Sequence, residues 1–314
     1  MKMKNKCLYC YGSIASEKDF HEKCSLEFFG TPNPPQIEYS LDQMDKLAKN
    51  VVERSVSVPG VQAKLSMSLV AESTNPANTR LTIVGALGGN YIFKPPSGRF
   101  PEMPENEHLT MRMAETFGIP VVPSSLIRLA SGELCYLTKR IDRTVKGEKI
   151  HMLDMFQITE AFDKYKSSME KVGKALDTYS SNTLLDKTYF FDLALFSFLT
   201  GNNDMHLKNF SMMKNPSGWG LAPAYDLLNV AIVFPEDEEE LALTLEGKKK
   251  KLKREHFEQL ASGLGLTPKQ IKGAFNRILK NNTKAFEWID RSLLSYTMKK
   301  SYNQVMEERY KRLL

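Results

Sequence analysis

The sequence predicts an α+β protein with a β-rich N-terminal half and a mostly helical C-terminal half. Three observations predict it. Apolar and polar residues alternate in short runs between about residues 64 and 138, and glycine, proline and asparagine separate these runs, as in half-buried strands. From about residue 150 onward apolar residues recur at helical spacing. The length of 314 residues, at roughly 150 per domain, suits two domains or lobes.

Composition places the chain among ordinary globular proteins. Hydrophobic residues make up 42% and charged residues 25%, which is enough apolar material for a core and excludes a wholly disordered chain. The net charge of +6 suits phosphate or nucleic acid but identifies neither. The most apolar run, residues 189–200, contains Asp192 and is shorter than the roughly 20 residues that span a bilayer. With no secretory signal visible, we expect a cytoplasmic protein without membrane association.

The predicted elements fall into three segments. Residues 1–30 form a cysteine-rich segment, which ends at the proline-rich stretch 31–35. Residues 38–138 form a β-rich lobe, with predicted helices at 38–52 and 105–118 and predicted strands at 64–70, 81–84, 90–93, 121–128 and 133–138. Residues 139–314 form a helical lobe, with predicted helices at 152–163, 166–178, 182–200, 254–264, 267–280, 282–293 and 299–313.

The first chemical motif is Cys7-x2-Cys10-x10-His21-x2-Cys24. Thiolate and imidazole ligands in two close pairs are what a tetrahedral structural zinc ion requires, and one tight turn can present each pair. The motif therefore predicts a zinc knuckle. The alternative is three buried or free cysteines beside a surface histidine. We expect the fourth cysteine, Cys135, to be a core residue of a strand.

Two segments of the β-rich lobe carry groups that suit phosphate. Small residues and a glycine between Ser55 and Lys64 would let backbone amides approach phosphate oxygens, although a plain turn also explains them. Lys94 ends an apolar strand, and Glu105 or Glu107 of the next helix could hold it by an ion pair. Protein kinases use a strand lysine and a helix glutamate in this way. The alternative is a solvated lysine at a strand end.

The polar segment after the apolar helix is the most specific motif. Asp204 and Asn209 have the D-x4-N spacing of a kinase catalytic loop, in which the aspartate accepts the nucleophile's proton and the asparagine holds Mg²⁺. Asp226 follows a predicted turn at 218–220 and adds a second carboxylate, so the set offers the oxygen ligands that Mg²⁺ prefers. His206 and Lys208 could contact phosphates. A helix-capping aspartate and a packed loop histidine are the alternatives.

Taken together, these segments resemble the HipA family of bacterial serine/threonine kinase toxins. The resemblance runs in family order from residue 55 to about residue 230, and Asn203–Asn209 is its most specific block. The other matching segments are Ser57–Lys64, Phe93–Lys94, Glu105–Glu107, Lys139–Arg143, His151–Met155 and Tyr225–Asp226.

The resemblance implies a two-lobed, protein-kinase-like fold that uses ATP and Mg²⁺. It implies Asp204 as catalytic base, Asn209 and Asp226 as Mg²⁺ ligands, and Lys94 on the nucleotide phosphates with Glu107 beside it. The implied phosphate-binding loop comprises Ser57, Val58, Gly60, Val61, Gln62 and Lys64.

The resemblance also implies regulation and partners. A serine at the Ser57 position is autophosphorylated in the family, which holds the loop outward; cationic groups such as Lys208 would capture the phosphate. The implied substrate is a protein, an aminoacyl-tRNA synthetase in the family. The implied partner is a small DNA-binding antitoxin, with DNA contact only inside that complex.

Two departures from the family pattern stand out. Only about 55 residues precede the phosphate loop, as in the short HipT-like branch, where a separate small protein supplies the missing N-terminal subdomain. Within the loop, Ala63 replaces a glutamate that is common in longer members, and Pro59 replaces an alanine or serine.

Two other function classes stay open from the residues alone. One is a catalytically inactive kinase-like module that binds nucleotide, or binds nucleic acid through the knuckle and the basic run 248–254. The acidic run 236–240 and this basic run are otherwise expected to be solvated. The other is a kinase of lipids or small molecules, which shares the same spacing of catalytic groups. The four residues Lys94, Asp204, Asn209 and Asp226 are all present, which argues against an inactive module.

Overall fold

The computed structural model describes residues 5–15, 17–44, 46–47, 64–71, 79–84, 88–144 and 146–314. The chain divides into two compact units. The first takes in Met1–His108, Val122–Glu148 and Arg291–Leu293, and the second takes in Leu109–Val121, Lys149–Asp290 and Leu294–Leu314. The domain boundaries placed at residues 30, 38 and 138 stay a prediction. Within the described part of the chain, every helix is too short or too polar to cross a bilayer.

The first unit is built on a five-stranded antiparallel sheet with the order β2-β1-β3-β5-β4. Its strands are β1 (Leu65–Ala71), β2 (Thr79–Ile83), β3 (Tyr91–Lys94), β4 (Ser124–Arg128) and β5 (Leu134–Lys139). Phe93 of the middle strand lies opposite Leu65 on one side and Leu137 on the other. Because β3 is flanked on both sides, its last residue, Lys94, is buried rather than solvated.

Two further helices are α1 (Glu22–Phe29), in the first unit, and α2 (Met103–Thr116), which belongs to the first unit up to His108 and to the second unit from Leu109. Helix α2 begins two residues before its predicted start and is followed by Gly118, which has a φ of 79°. A glycine suits this left-handed conformation, which ends the helix. Of the helix predicted at 38–52, residues 41–44 and 46–47 are helical; most of the remainder lies outside the described residues.

Seven helices form most of the described part of the second unit. They are α3 (Met155–Ile158), α4 (Met169–Tyr179), α5 (Thr183–Leu199), α6 (Arg254–Gly263), α7 (Pro268–Lys280), α8 (Asn282–Arg291) and α9 (Tyr296–Leu313). Helix α5 supplies the centre of the core, since Phe190, Phe191, Phe196 and Phe198 are fully buried. A helix that is apolar on all sides is expected only where other elements of the fold surround it.

A small second sheet was not foreseen in the sequence. Strands β6 (Met152–Asp154), β7 (Ser211–Asn215) and β8 (Gly218–Leu221) pair antiparallel in that order. The helix predicted at 152–163 is therefore wrong over residues 152–154, which form a strand, and over residues 159–163, which follow the end of α3. The turn predicted at 218–220 is a strand. Asp154 instead caps α3 by accepting a hydrogen bond from the Gln157 amide. Three-residue strands are too short to show an alternating pattern, and β6 pairs with residues far along the chain.

Candidate active site

A buried ion pair lies at the end of the central strand. The Lys94 Nζ atom is 2.6 Å from Oε1 and 2.8 Å from Oε2 of Glu107 in α2. The two side chains are only 4% and 2% exposed, and the ammonium also lies 5.3 Å from the centre of the Tyr136 ring. Contacts with both carboxylate oxygens hold the lysine side chain in one orientation. The partner is Glu107; at Glu105, burial instead raises the carboxyl pKa to about 7.

The segment that follows α5 folds back on itself. Gly201, with a φ of 70°, turns the chain away from the helix, and Leu207–Asn209 forms a single 3₁₀ turn. The Asn209 side-chain amide donates a hydrogen bond of 3.0 Å to the Asp204 carbonyl oxygen. The two ends of the D-x4-N segment are therefore tied together. The hydrogen bond fixes the orientation of the Asn209 amide, and its Oδ1 atom, the acceptor of the group, is the atom that can bind a cation.

Tyr165 is the neighbour of Asp204 that sequence reasoning missed. Its hydroxyl donates a hydrogen bond of 2.7 Å to Asp204 Oδ1, and its ring packs edge-on against His206. Burial and the Asp204 carboxylate raise the pKa of Tyr165, so the hydroxyl keeps its proton and remains the donor. Tyr165 lies in the irregular segment between α3 and α4, where no periodicity or motif marks it.

The carboxylates of Asp204 and Asp226 both act on the buried ring of His206. Burial lowers the pKa of His206, while the negative charges of both aspartates oppose this shift. Its Nδ1 atom has no hydrogen-bond partner among the described residues. Asp226 has a φ of 60°, a conformation that is unusual outside glycine and is found at functional sites. Asp204, His206 and Asp226 thus share one electrostatic environment in the second unit.

The chain just before Asp226 is anchored to the same loop. The Tyr225 hydroxyl donates a hydrogen bond of 2.9 Å to the Lys208 carbonyl oxygen and is also bonded to the Ser211 hydroxyl. The Lys208 side chain is exposed, and its ammonium lies 4.8 Å from the centre of the Phe156 ring. The carboxylate and amide oxygens of Asp226 and Asn209 have the hard-donor chemistry that Mg²⁺ requires, so the residues present fit that ion.

The acidic run lies against the basic run. Lys249 and Lys250 form ion pairs with Glu239 and Glu238 at 3.1 Å and 3.0 Å. The Asn203 amide, next to Asp204, donates a hydrogen bond of 3.0 Å to Asp237. These two lysines are therefore partly neutralised, and the acidic run also supports the polar loop.

The other predicted site residues lie in the first unit or outside the described residues. Lys64 is exposed and lies directly before β1. The predicted loop residues Ser57, Val58, Gly60, Val61 and Gln62 lie outside the described residues. The ligand atoms of Cys7, Cys10, His21 and Cys24 lie within 4.8 Å of one another.

Comparison with known proteins settles the family. The profile described as the HipA-like C-terminal domain matches residues 56–286, well over half of the chain. The chain belongs to this family. One relative is Y4dM of Sinorhizobium fredii, whose name describes it as a candidate kinase. It is 33% identical to this chain, and the match covers 68% of this chain and 55% of Y4dM. The serine/threonine-protein kinase toxin HipA of Shewanella oneidensis is 26% identical over 61% of this chain and 47% of its own length.

A solved structure supports the fold. The Shewanella oneidensis HipA structure, determined with HipB and its operator DNA, matches with a TM-score of 0.67 at 23% identity. The match covers 82% of this chain and 64% of that chain. The predicted α+β, HipA-like kinase fold is therefore confirmed. The chain spans about half the length of the curated relatives it matches, between 46% and 60%. The HipA-like match begins after the cysteine-rich segment.

Proposed function

We propose that this chain is an ATP- and Mg²⁺-dependent serine/threonine protein kinase that acts in the cytoplasm as the toxin of a toxin–antitoxin pair. The observation that carries the proposal is the buried ion pair of Lys94 and Glu107. Burying two charges costs several kcal/mol per ion, so a buried ion pair contributes little net stability to a fold. In kinases the same strand lysine and helix glutamate position the nucleotide phosphates. Membership of the HipA-like family supports the same activity.

Each residue then has a stated role. Lys94 binds phosphate oxygens of ATP, and Glu107 fixes its orientation. Asn209 and Asp226 would hold Mg²⁺, which when bound neutralises charge on the transferring phosphoryl group. Asp204 accepts the proton of the attacking hydroxyl at Oδ2, because Tyr165 already donates to Oδ1.

The proposed substrate is a protein hydroxyl on a translation component such as an aminoacyl-tRNA synthetase. The proposed partner is a small DNA-binding antitoxin, and the support for it is the HipA–HipB–operator complex of the structural relative. Ser57 is the proposed autophosphorylation site, and Lys208 is the proposed cation that binds its phosphate.

The test is the intact mass of the protein before and after incubation with ATP and Mg²⁺, following phosphatase treatment. Wild type should gain about 80 Da per phosphate, and Asp204→Asn should gain none. Asp177→Asn is the matched control, since this aspartate is exposed and forms a salt bridge with Lys187 away from the polar loop. Equal gain by Asp204→Asn would refute its role as base. No gain by wild type would refute autophosphorylation. If wild type also fails to label proteins in an added extract, the kinase proposal is refuted as well.

Fragmentation of the labelled protein locates the phosphate. Ser57→Ala should lose it, while Ser55→Ala, two residues away, should keep it. Turnover of ATP with label on a small acceptor and none on protein would instead indicate a small-molecule or lipid kinase.

A further inference from the structure

The N-terminal segment folds into a compact knuckle around its cysteines. The Tyr11 amide donates a hydrogen bond of 2.9 Å to the Cys7 carbonyl oxygen, and the Cys7 amide donates one of 2.8 Å to the Gly12 carbonyl oxygen. These bonds close a tight turn that places the thiols of Cys7 and Cys10 together. Cys24 lies three residues after His21, in the first turn of α1. Side chains at this spacing share one face of a helix.

Gly12, in this turn, leaves room for the His21 imidazole beside the thiols. A Cβ atom at Gly12 would lie 3.1 Å from His21 Cε1 and 3.3 Å from Cys10 Sγ. Such contacts are tighter than ordinary van der Waals packing. Glycine at this position therefore lets the imidazole approach the thiols.

The histidine ring has the orientation of a metal ligand. His21 Nδ1 lies 3.3 Å from Cys10 Sγ and 3.7 Å from Cys24 Sγ. His21 Nε2 lies 3.0 Å from the Ser13 carbonyl oxygen, which can only accept a hydrogen bond. Nε2 must therefore carry the proton, and the lone pair of Nδ1 faces the thiols. An outer carbonyl that fixes the ring in this way is typical of metal-binding histidines.

We propose that Cys7, Cys10, His21 and Cys24 bind one structural zinc ion through three thiolates and Nδ1. Around tetrahedral zinc, neighbouring sulfur and nitrogen ligands lie about 3.5–3.8 Å apart. The four ligand atoms already lie within 4.8 Å of one another, so small side-chain rotations complete the site. Four protein ligands leave no open position, which is the pattern of structural rather than catalytic zinc. Binding releases the thiol protons to solvent.

Contacts with β4 and α2 are among those that join the knuckle to the rest of the first unit. The Leu126 amide of β4 donates to the Leu8 carbonyl oxygen at 3.3 Å. Arg128 of β4 binds both carboxylate oxygens of Asp19. The Tyr11 hydroxyl is 2.7 Å from His108 Nδ1, and both side chains are buried. Because His108 follows Glu107 in α2, zinc in the knuckle supports the helix that presents Glu107 to Lys94.

The test is the metal content of the purified full chain, measured by mass spectrometry of the metal after growth with added zinc. Wild type should hold one zinc ion per chain, and Cys24→Ser should hold nearly none. Cys135→Ala is the matched control, because this buried cysteine of β5 lies outside the cluster and should leave the zinc content unchanged. Wild type without zinc, or Cys24→Ser with full zinc, would overturn the proposal.

Two further measurements keep the test valid if Cys24→Ser does not fold. Cobalt replaces zinc in the wild-type chain, and its absorption spectrum should show a tetrahedral site with thiolate-to-metal charge transfer; a six-coordinate spectrum would contradict the site. His21→Cys should retain metal, since four cysteines also bind zinc, whereas His21→Ala should lose it. Equal metal content in these two variants would remove His21 from the ligand set.

Discussion

Burial decides what two glutamates of the same helix can do. Glu107 lies against Lys94 and forms a buried ion pair with it. Burial raises the carboxyl pKa of Glu105, two residues earlier, from its ordinary value of 4.5 to about 7. The charged form of Glu105 therefore destabilises the fold near neutral pH, whereas the carboxylate of Glu107 is paired with Lys94.

Glu105→Gln should make the protein more stable at high pH. A raised carboxyl pKa means that the folded state binds the proton more tightly than the unfolded state. The contribution of Glu105 to stability is therefore complete below about pH 4.5 and is lost as the pH rises to about 7. The melting temperature of the variant minus that of wild type should increase between pH 5 and pH 8.

Glu307→Gln is the control for this measurement, because Glu307 is exposed on α9. Its difference from wild type should stay constant over the same pH range. Parallel pH curves for Glu105→Gln and wild type would show that the carboxyl is not perturbed.

Tyr165→Phe should slow phosphoryl transfer without weakening ATP binding, if the proposed function holds. The change removes the hydrogen bond to Asp204 Oδ1 and leaves the ring against His206 in place. A hydrogen bond to a charged group is worth about 1.5–3 kcal/mol, so a loss in kcat of about tenfold or more is expected. Steady-state kinetics with ATP as the varied substrate measure both constants. An unchanged kcat would show that Tyr165 does not position the base; Tyr179→Phe, on an exposed side chain, is the control.

Among the elements, long and strongly patterned segments were predictable and short ones were not. The helix predicted at 182–200 is Thr183–Leu199, because its apolar side chains extend over the whole segment. The hairpin of β4 and β5 was predicted from the Ser131–Gly132 turn, and Gly132 has a φ of 106°. Strand β6 could not be predicted, since only its pairing with β7 makes three residues a strand.

Gly89→Ala should destabilise the first unit. Gly89 has a φ of 79°, and an added Cβ would collide with the carbonyl group of Met67 in β1. That carbonyl accepts a hydrogen bond of 3.0 Å from the Asn90 amide, which fixes the start of β3 beside β1. Neither backbone can move without breaking this bond, so the loss should exceed about 1 kcal/mol.

Thermal unfolding measures this effect. Gly98→Ala is the matched control, because an added Cβ there meets nothing within 4 Å and its φ is not in the left-handed region. Equal melting temperatures for both variants would show that the strand start tolerates the side chain.

For the whole molecule, the order of a β-rich part before a helical part was evident in the sequence. The pairing of a strand lysine with a helix glutamate was also foreseen, although the residues alone did not choose between Glu105 and Glu107. Tyr165 was missed because it reaches Asp204 from an irregular segment 39 positions earlier. Contacts between distant positions depend on the tertiary fold, which periodicity does not encode.

Chelation should loosen the first unit and leave the second unchanged, if the knuckle binds zinc. The knuckle attaches to β4 through Leu126 and Arg128, both in the first unit. The core of the second unit is formed around α5 by its own buried phenylalanines. Metal binding stabilises the unit that binds it, and a separate cooperative unit opens with its own free energy.

Hydrogen exchange measures this difference. Adding a zinc chelator should therefore raise the exchange rate in peptides covering 17–44 and 122–139. The rate should stay constant in peptides covering 183–199 and 254–280. Cys24→Ser without chelator should reproduce the same pattern, and an equal rise in all four peptides would contradict a role confined to the first unit.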